Sequence, residues 1–339
     1  MSNYCGIKPI DDLYSGASAQ PVRAGDDPAA VGAVQDLLTG HGYRGLPGLT
    51  SPAYGKFGGK TSVCLQDFQS RHGLPPQDLV DHATLSRLVL DPASDPRACH
   101  VYVTLALGFS MSALQKALSL VAQMEGMGRF AAANLNTDKA GLSYGIIQWA
   151  QRPGRLAELL KAFQAADAAQ YAEIFGAGDA ELARMLLRHA QKPGGGIDSN
   201  GETTDPAFNL VEDPWPARFR QAALAVSLQK VQVRAALTAF GRTLAVIRAA
   251  APEAATERGV AFLLDVANQF GDAGMSQLCK LARQSRASES DLLESVAAES
   301  VERMPASFQM PVRARRDVFL HTPWLSASPF ADANAPGRP

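Results

Sequence analysis

The sequence predicts a mainly α chain: a small three-helix bundle followed by a larger, helix-rich α+β domain with one short β-hairpin. Three observations carry that prediction. Apolar residues recur at three- and four-residue steps through much of the chain. A Pro/Asp/Ser-rich stretch, Asp91 to Ala98, separates a compact first block from a long alanine-rich second one. A hairpin pattern, Leu142, Tyr144, Ile146 and Ile147 beside Gly141 and Gly145, interrupts the helical periodicity of the second block.

Taken in order, residues 1–20 are polar and small and are expected to be loosely ordered, as is the Pro/Ala/Gly tail 327–339. The boundaries between them fall at 21–92 for the first domain, 93–110 for a linker and 111–326 for the second domain. In the first domain Val31, Val34, Leu37 and Leu38 form a helical stripe ending at Gly40. Leu65 and Phe68 form a second stripe after Thr61, a candidate N-cap, and Leu85 to Val89 a third after Asp81 or Thr84. Glycines and aromatics crowd the loop between the first two.

At 339 residues and 46% hydrophobic, the chain can bury the cores of a small and a medium domain, which sets disorder aside. Its 32 basic and 33 acidic residues leave a formal charge of -1, so no global field draws it to nucleic acid or anionic lipid, and a polymer partner must be gripped locally. Cys5, Cys64, Cys99 and Cys279 form no CxxC pair, and no His/Cys cluster has ligand spacing. They read as apolar fillers or free thiols, with no metal and no cofactor expected. The most apolar stretch, Val101 to Leu107 and on to Leu120, is broken by Gly108, Ser110, Ser112 and Lys116, short of the roughly 18 uninterrupted residues of a membrane span. The start, MSNYCGIKPIDDLYSG, has neither the basic nor the apolar part of a secretory signal, so synthesis in the cytoplasm without classical export is expected.

The first block resembles the peptidoglycan-binding domain found beside many cell-wall hydrolases. Val31, Val34-Gln35 and Leu38, then Gly42-Tyr43, then Gly55-Lys56-Phe57-Gly58-Gly59-Lys60-Thr61, then Leu65 and Phe68-Gln69, Gly73-Leu74, and Val80, Thr84 and Leu88 stand in that family's order. The chain departs from it by an expanded loop, Leu46 to Tyr54, and by Pro75-Pro76-Gln77-Asp78 at a turn. The resemblance implies contact with peptidoglycan glycan strands, for which the loop aromatics Tyr43, Tyr54 and Phe57 are the candidates; a spacer that binds nothing is the alternative.

In the second block Leu114, Ala117, Leu118, Val121 and Met124 form a helical run that reaches Glu125, directly before Gly126-Met127-Gly128. A carboxyl at the negative end of a helix, beside apolar residues, is expected to hold its proton more firmly than usual, as a proton donor must. Asp138 lies on the predicted hairpin, so a helix-end Glu and a hairpin Asp can face one cleft from opposite sides. Glu158, Glu173, Asp198 and Asp205 are rival carboxylates.

Here the chain resembles the lysozyme superfamily, and within it the chitosanases of glycoside hydrolase family 46. Asp138 is followed by Gly141, Ser143, Gly145-Ile146-Ile147 and Trp149 at that family's offsets, with Ser143 where it shows Thr, and the interval from Glu125 to Asp138 is shorter. Gly145-Ile146-Ile147-Gln148 echoes goose-type lysozymes, and Asp213 to Ala222 and Gly259 to Gly271 resemble later helices of the family. The resemblance implies a lysozyme-like fold, Glu125 as general acid, Asp138 as base and Ser143 holding the water of an inverting hydrolysis. Tyr144, Gln148, Trp149, Asn268 and Gln269 are the expected sugar contacts, though Trp149 and Trp215 read equally as core and Asn268-Gln269 as a cap or buried pair. The arginines of Arg313 to Ser326 read as a solvated face.

Together these features predict a muramidase acting on peptidoglycan in the periplasm or outside the cell. A chitosanase and a non-catalytic wall-binding protein are the alternatives. Delivery as a phage-type endolysin or as an interbacterial effector is expected. An effector would add an immunity protein or a secretion-machine component to its partners.

Overall fold

The structure, a computed structural model, describes residues 4–137, 139–283 and 288–331, and it is mainly helical. Helix α1 (Lys8–Ser15) opens it, with Asp11 turned back to accept the Cys5 and Gly6 N–H groups at 2.7 and 2.9 Å. Ile7, Ile10 and Leu13 recur at helical steps and are buried in the first core. Of the segment 1–20, the described residues 4–20 therefore depart from the expected loose order: their short apolar stripe has a core to join.

Strand β1 (Val22–Arg23) pairs antiparallel with β2 (Leu79–Val80), a contact with no sequence signal at two residues a side. The three expected helices follow as α2 (Pro28–Gly40), α3 (Gly59–Arg71) and α4 (His82–Leu90), with Asp27 and Asp81 capping α2 and α4. Two fully buried glutamines tie their loops down. Gln35 donates to Lys56 O and Thr61 Oγ1, both at 3.0 Å, and accepts from Gly55 N–H; Gln69 donates to Leu79 O and Thr84 Oγ1 and accepts from Gln77 N–H. Each motif Gln is thus spent on loop backbone that α-helices cannot reach, and a motif Thr hydroxyl accepts from its amide.

On α2 Asp36 is buried beneath the Tyr54 hydroxyl, which donates to it at 2.7 Å. Burial pushes its pKa up from 3.8 to about 7, against the Tyr54 hydrogen bond and Arg97. The folded chain thus keeps a proton that the unfolded chain has released between those pH values, and stability falls as pH rises through that window. Asp36→Asn keeps an oxygen for Tyr54 and is expected to raise the unfolding free energy by roughly 2–4 kcal/mol at pH 8 and to change little at pH 4. Urea unfolding at both pH values checks this; equal effects at both would dismiss the carboxyl's charge as the cause.

The expected linker, 93–110, is a wall shared by both cores. Cys99 and Val101 belong to the first, Ala98, Val103 and Leu107 to the second, and a π-helical turn spans Tyr102–Ala106. Ala98 N–H donates to Gly128 O at 2.8 Å, Phe130 N–H to Pro96 O at 3.2 Å, and Tyr102 Oη to Gln229 Oε1 at 2.9 Å. Its apolar residues are too closely spaced to stay in water, so the blocks meet on it.

The second block begins with α5 (Ala113–Met124), then an antiparallel sheet in the order β3-β4-β5 of β3 (Ala133–Leu135), β4 (Leu142–Tyr144) and β5 (Trp149–Ala150). The expected hairpin thereby gains a third strand. Helices α6 (Arg155–Ala166), α7 (Ala168–Gly176), α8 (Ala180–Ala190), α9 (Trp215–Ala222), α10 (Val226–Ala250), α11 (Glu257–Arg283), α12 (Glu289–Glu302) and α13 (Ala306–His321) complete it. Helix α11 is central, touching α5, α10, α12 and α13, and it breaks at Gly271, whose φ of 72° lies in the left-handed region. Of the expected tail, Phe330 N–H reaches Ala255 O at 2.8 Å and Pro329 pairs with Thr256, while 332–339 lie outside the described residues.

No helix among the described residues is long and apolar enough to cross a membrane. All four cysteines are free and buried. Burial and the nearby Asp36 push the Cys99 thiol up to about 12.

Candidate functional site

Ser112 caps α5, its hydroxyl accepting Gln115 N–H at 3.1 Å, and Leu114, Ala117, Leu118 and Val121 bury one face of the helix. The run closes at Glu125, where the spacing places the helix end. Gly126 and Met127 then take φ of 61° and 59°, which no α-helix continues. A Cβ on Gly126 would lie 2.5 Å from Ala132 Cβ, so glycine lets the turn press against the entry to β3. Glu125 is thereby fixed where α5 meets the sheet.

Its surroundings differ from the apolar ones expected. Asn268 Nδ2 donates to Glu125 Oε1 at 3.1 Å and Arg315 Nη2 to the same oxygen at 2.7 Å. Arg315 in turn grips Asp265, with Nε 3.0 Å from both carboxylate oxygens and Nη2 2.6 Å from Oδ1, and its Nη1 donates to Met124 O at 3.3 Å. Arg316 donates to Asp265, to Gln269 Oε1 and to Ser300 Oγ. Two carboxyl groups thus meet two guanidiniums in one cluster, at whose centre Asp265 is 0% exposed.

Burial disfavours the charge on Arg315, yet Asp265 and Glu125 outweigh it and raise the guanidinium's pKa. Burial lowers that of Arg316, with Asp265 opposing. Neither arginine belongs to the solvated face expected of this segment. Both, with Val312 and Phe319, make the buried stripe of α13 at i, i+3, i+4 and i+7. That spacing was the available signal: a charge in a helix's apolar stripe requires a buried counter-charge.

Asp138 lies outside the described residues. Among the described residues on either side of it, Asn134 Oδ1 accepts Thr137 N–H and Oγ1–H at 3.1 and 2.7 Å, and Asn136 bridges Gly141 N–H and Gly201 O, both at 3.0 Å. Ser143, buried on β4, pairs with Asn134 across the sheet and so shares its face, whereas Leu142 and Tyr144 point the other way. The cross-strand pairing therefore sets Ser143 and Asn134 on one face, and Thr137 joins Asn134 through its hydrogen bonds.

Three expected sugar contacts are structural instead. Tyr144 is 1% exposed, its hydroxyl donating to Phe219 O at 2.9 Å and its ring 4.8 Å from Phe219. Trp149 is buried against the Gly145 turn, where a Cβ would meet Gln232 Oε1 at 2.6 Å and Trp149 Cζ3 at 3.0 Å. Gln148, at φ 54°, spends its amide on Ala132 O and Gly145 O. Period-two alternation turns Tyr144 inward, and the aromatic bulk of Trp149 fills the core behind it. Trp215 is core as well, its Nε1 donating to Ala207 O at 3.0 Å. Asn268 does reach the site, through Glu125, and Gln269 joins its charge cluster through Arg316.

The rival carboxylates have other employment. Glu158 and Glu173 are exposed on α6 and α7. Asp198 accepts the Asn200 and Glu202 N–H groups, which with its neighbours lower its pKa, and Asp205 caps a short turn through Ala207 N–H.

On the first block Tyr43 and Phe57 are half-buried against the core; the Tyr43 hydroxyl donates to Asp67 at 2.8 Å and the Arg71 guanidinium lies 5.9 Å from its ring centre. Tyr54 is not free to meet a wall polymer. Its hydroxyl is bound to Asp36 and its ring lies 5.6 Å from Trp324, joining the two blocks. The expanded loop that carries it folds onto the second domain, a contact no local pattern encodes. No curated protein matches the chain. Residues 27–88, spanning α2, α3, β2 and most of α4, match the family model described as "Putative peptidoglycan binding domain", which supports a peptidoglycan-binding domain there and an association of the protein with the cell wall.

Proposed function

We propose that the protein is a peptidoglycan hydrolase, a muramidase whose first block holds the wall while the second cleaves its glycan strands. The observation that carries this reading is Glu125 at the end of α5, oriented by Asn268 and Arg315 where α5 runs into the entry to β3, in a chain whose residues 27–88 match a wall-binding family.

Both hydrogen bonds to the Glu125 carboxyl among the described residues fall on Oε1. Oε2 is then the oxygen that meets the glycosidic bond. Glu125 donates its proton to the leaving oxygen, and the negative charge left on it is met by the Arg315 guanidinium, already in place. Asp138 takes a proton from the attacking water and Ser143 orients that water. An inverting course requires the two carboxyls to stand roughly 6.5–9.5 Å apart, with room for the water between.

The delivery routes expected of such an enzyme, phage lysis or a contact-dependent secretion machine with its immunity protein, belong to this reading. Digestion of purified sacculi tests it. New reducing ends on N-acetylmuramic acid, released first as the inverted anomer, are expected by mass spectrometry and NMR. Cleavage of chitosan alone would make the protein a chitosanase, and no new ends on either polymer would leave a wall-binding protein.

A further inference from the structure

A groove of about 650 Å³ runs between the two blocks. Its charged lining is four arginines, Arg44, Arg97, Arg129 and Arg220, against one acid, Asp95, in a chain whose formal charge is -1. Asp95 is taken by Arg129 at 2.9 Å and Arg97 at 3.5 Å. Arg44 and Arg220 are exposed and have no acidic partner among the described residues. Arg97, only 9% exposed, keeps a buried Nε with no hydrogen-bond partner. The lining therefore carries more positive charge than its one acid balances, and the exposed guanidiniums are available to an anionic ligand.

The groove does not end at the domain junction. A second cavity, of about 460 Å³ on the first block, shares Gly42, Tyr43 and Arg44 with it and adds Lys60 together with Arg71 and its ion-pair partner Asp67, 2.8 Å apart. One cationic track therefore leads from the block matched as wall-binding to Met127, two residues beyond Glu125. Met127 and Leu224 are 57% and 51% exposed along it, and Met127 is held in the left-handed region at φ 59°. The track combines positive charge with small apolar contacts.

Peptidoglycan divides its chemistry to match. The glycan strand is neutral, because the lactyl carboxyl of each muramic acid is consumed in an amide bond. The charge sits on the stem peptide, a short run of alanyl, glutamyl and diamino-acid units bearing free carboxylates and methyl groups. We propose that the interdomain groove binds the anionic stem peptide of peptidoglycan and so delivers a stem-bearing strand from the first block toward Glu125. This deepens the wall-hydrolase reading and rests on it for the identity of the polymer.

The test is a binding measurement on the full chain with three probes: short strands carrying tetrapeptide stems, the same strands stripped by an amidase and with each freed lactyl carboxyl converted back to a simple amide so that they are neutral, and poly(glycerol phosphate). The stem-bearing strands are expected to bind at least tenfold more tightly than the stripped ones. The Arg44→Gln/Arg220→Gln double variant, whose exposed positions leave the cores untouched, is expected to bring the two within twofold. The corresponding double Lys variant, which keeps the charge, retains most of the difference. Equal affinities in the wild type, an undiminished difference in the Gln variant, or equal or tighter binding of poly(glycerol phosphate) would overturn the proposal. Because the readout is affinity, a chain that cuts no glycan still decides the matter, and a chain that cuts glycan with no stem preference sinks the groove alone.

Discussion

Glu125→Gln is expected to slow glycan hydrolysis by about 10²–10⁴-fold while retention on sacculi stays at the wild-type level. Glutamine is isosteric and keeps an oxygen to accept from Asn268 and Arg315, so the substitution removes the transferable proton and little of the packing. Arg315 remains held through Asp265, whose carboxylate it meets at 2.6 Å. The residues matched as wall-binding, 27–88, do not include Glu125, so binding and turnover separate cleanly. Reducing-end release and a sacculus pull-down on the same preparation give both readings, and the melting temperature confirms the fold. A variant still within tenfold of the wild-type rate would remove Glu125 from the role of acid.

Asp265→Ala acts on the scaffold beneath that acid. It leaves Arg315 and Arg316, 8% and 1% exposed, with two guanidiniums facing a cavity where a carboxylate had been. Removing one partner from a buried ion cluster typically costs about 3–5 kcal/mol, because the remaining charge can neither hydrate nor pair. The midpoint of urea unfolding is therefore expected to fall sharply. Asp265→Asn, which keeps an oxygen acceptor, is expected to lose less than Asp265→Ala. Turnover should fall in both, since Arg315 loses the anchor that aims it at Glu125. A destabilisation below about 1 kcal/mol in Asp265→Ala would mean that water reaches the cluster.

The parts of the site legible in the sequence are those written in neighbouring residues. The stripe from Leu114 to Met124 and the glycines after it placed Glu125 at a helix end, and that is where it stands. Gly141 and Gly145 marked the turns about β4, and the Gln, Thr and Gly positions of the first block marked helices α2 to α4. Tyr144 departs from its expected role and Trp149 takes the core side of its double reading, because hydrogen-bonding and aromatic side chains serve a core and a sugar equally well. Only the inward side of β4 and the packing behind the Gly145 turn assigned them.

The sequence by itself determined the mainly helical class, the wall-binding block and the position of Glu125, since helix periodicity, capping and turn glycines act over a few residues. Only the tertiary structure decided what surrounds that carboxylate, for Arg315 reaches Glu125 across 190 residues and Asp265 across 50. It also turned Tyr54 into an interdomain strut and made a groove from Arg44 and Arg220, which stand far apart along the chain. Charges separated this widely in sequence meet only when several helices pack at once, and the cost of burying them unpaired selects the partner.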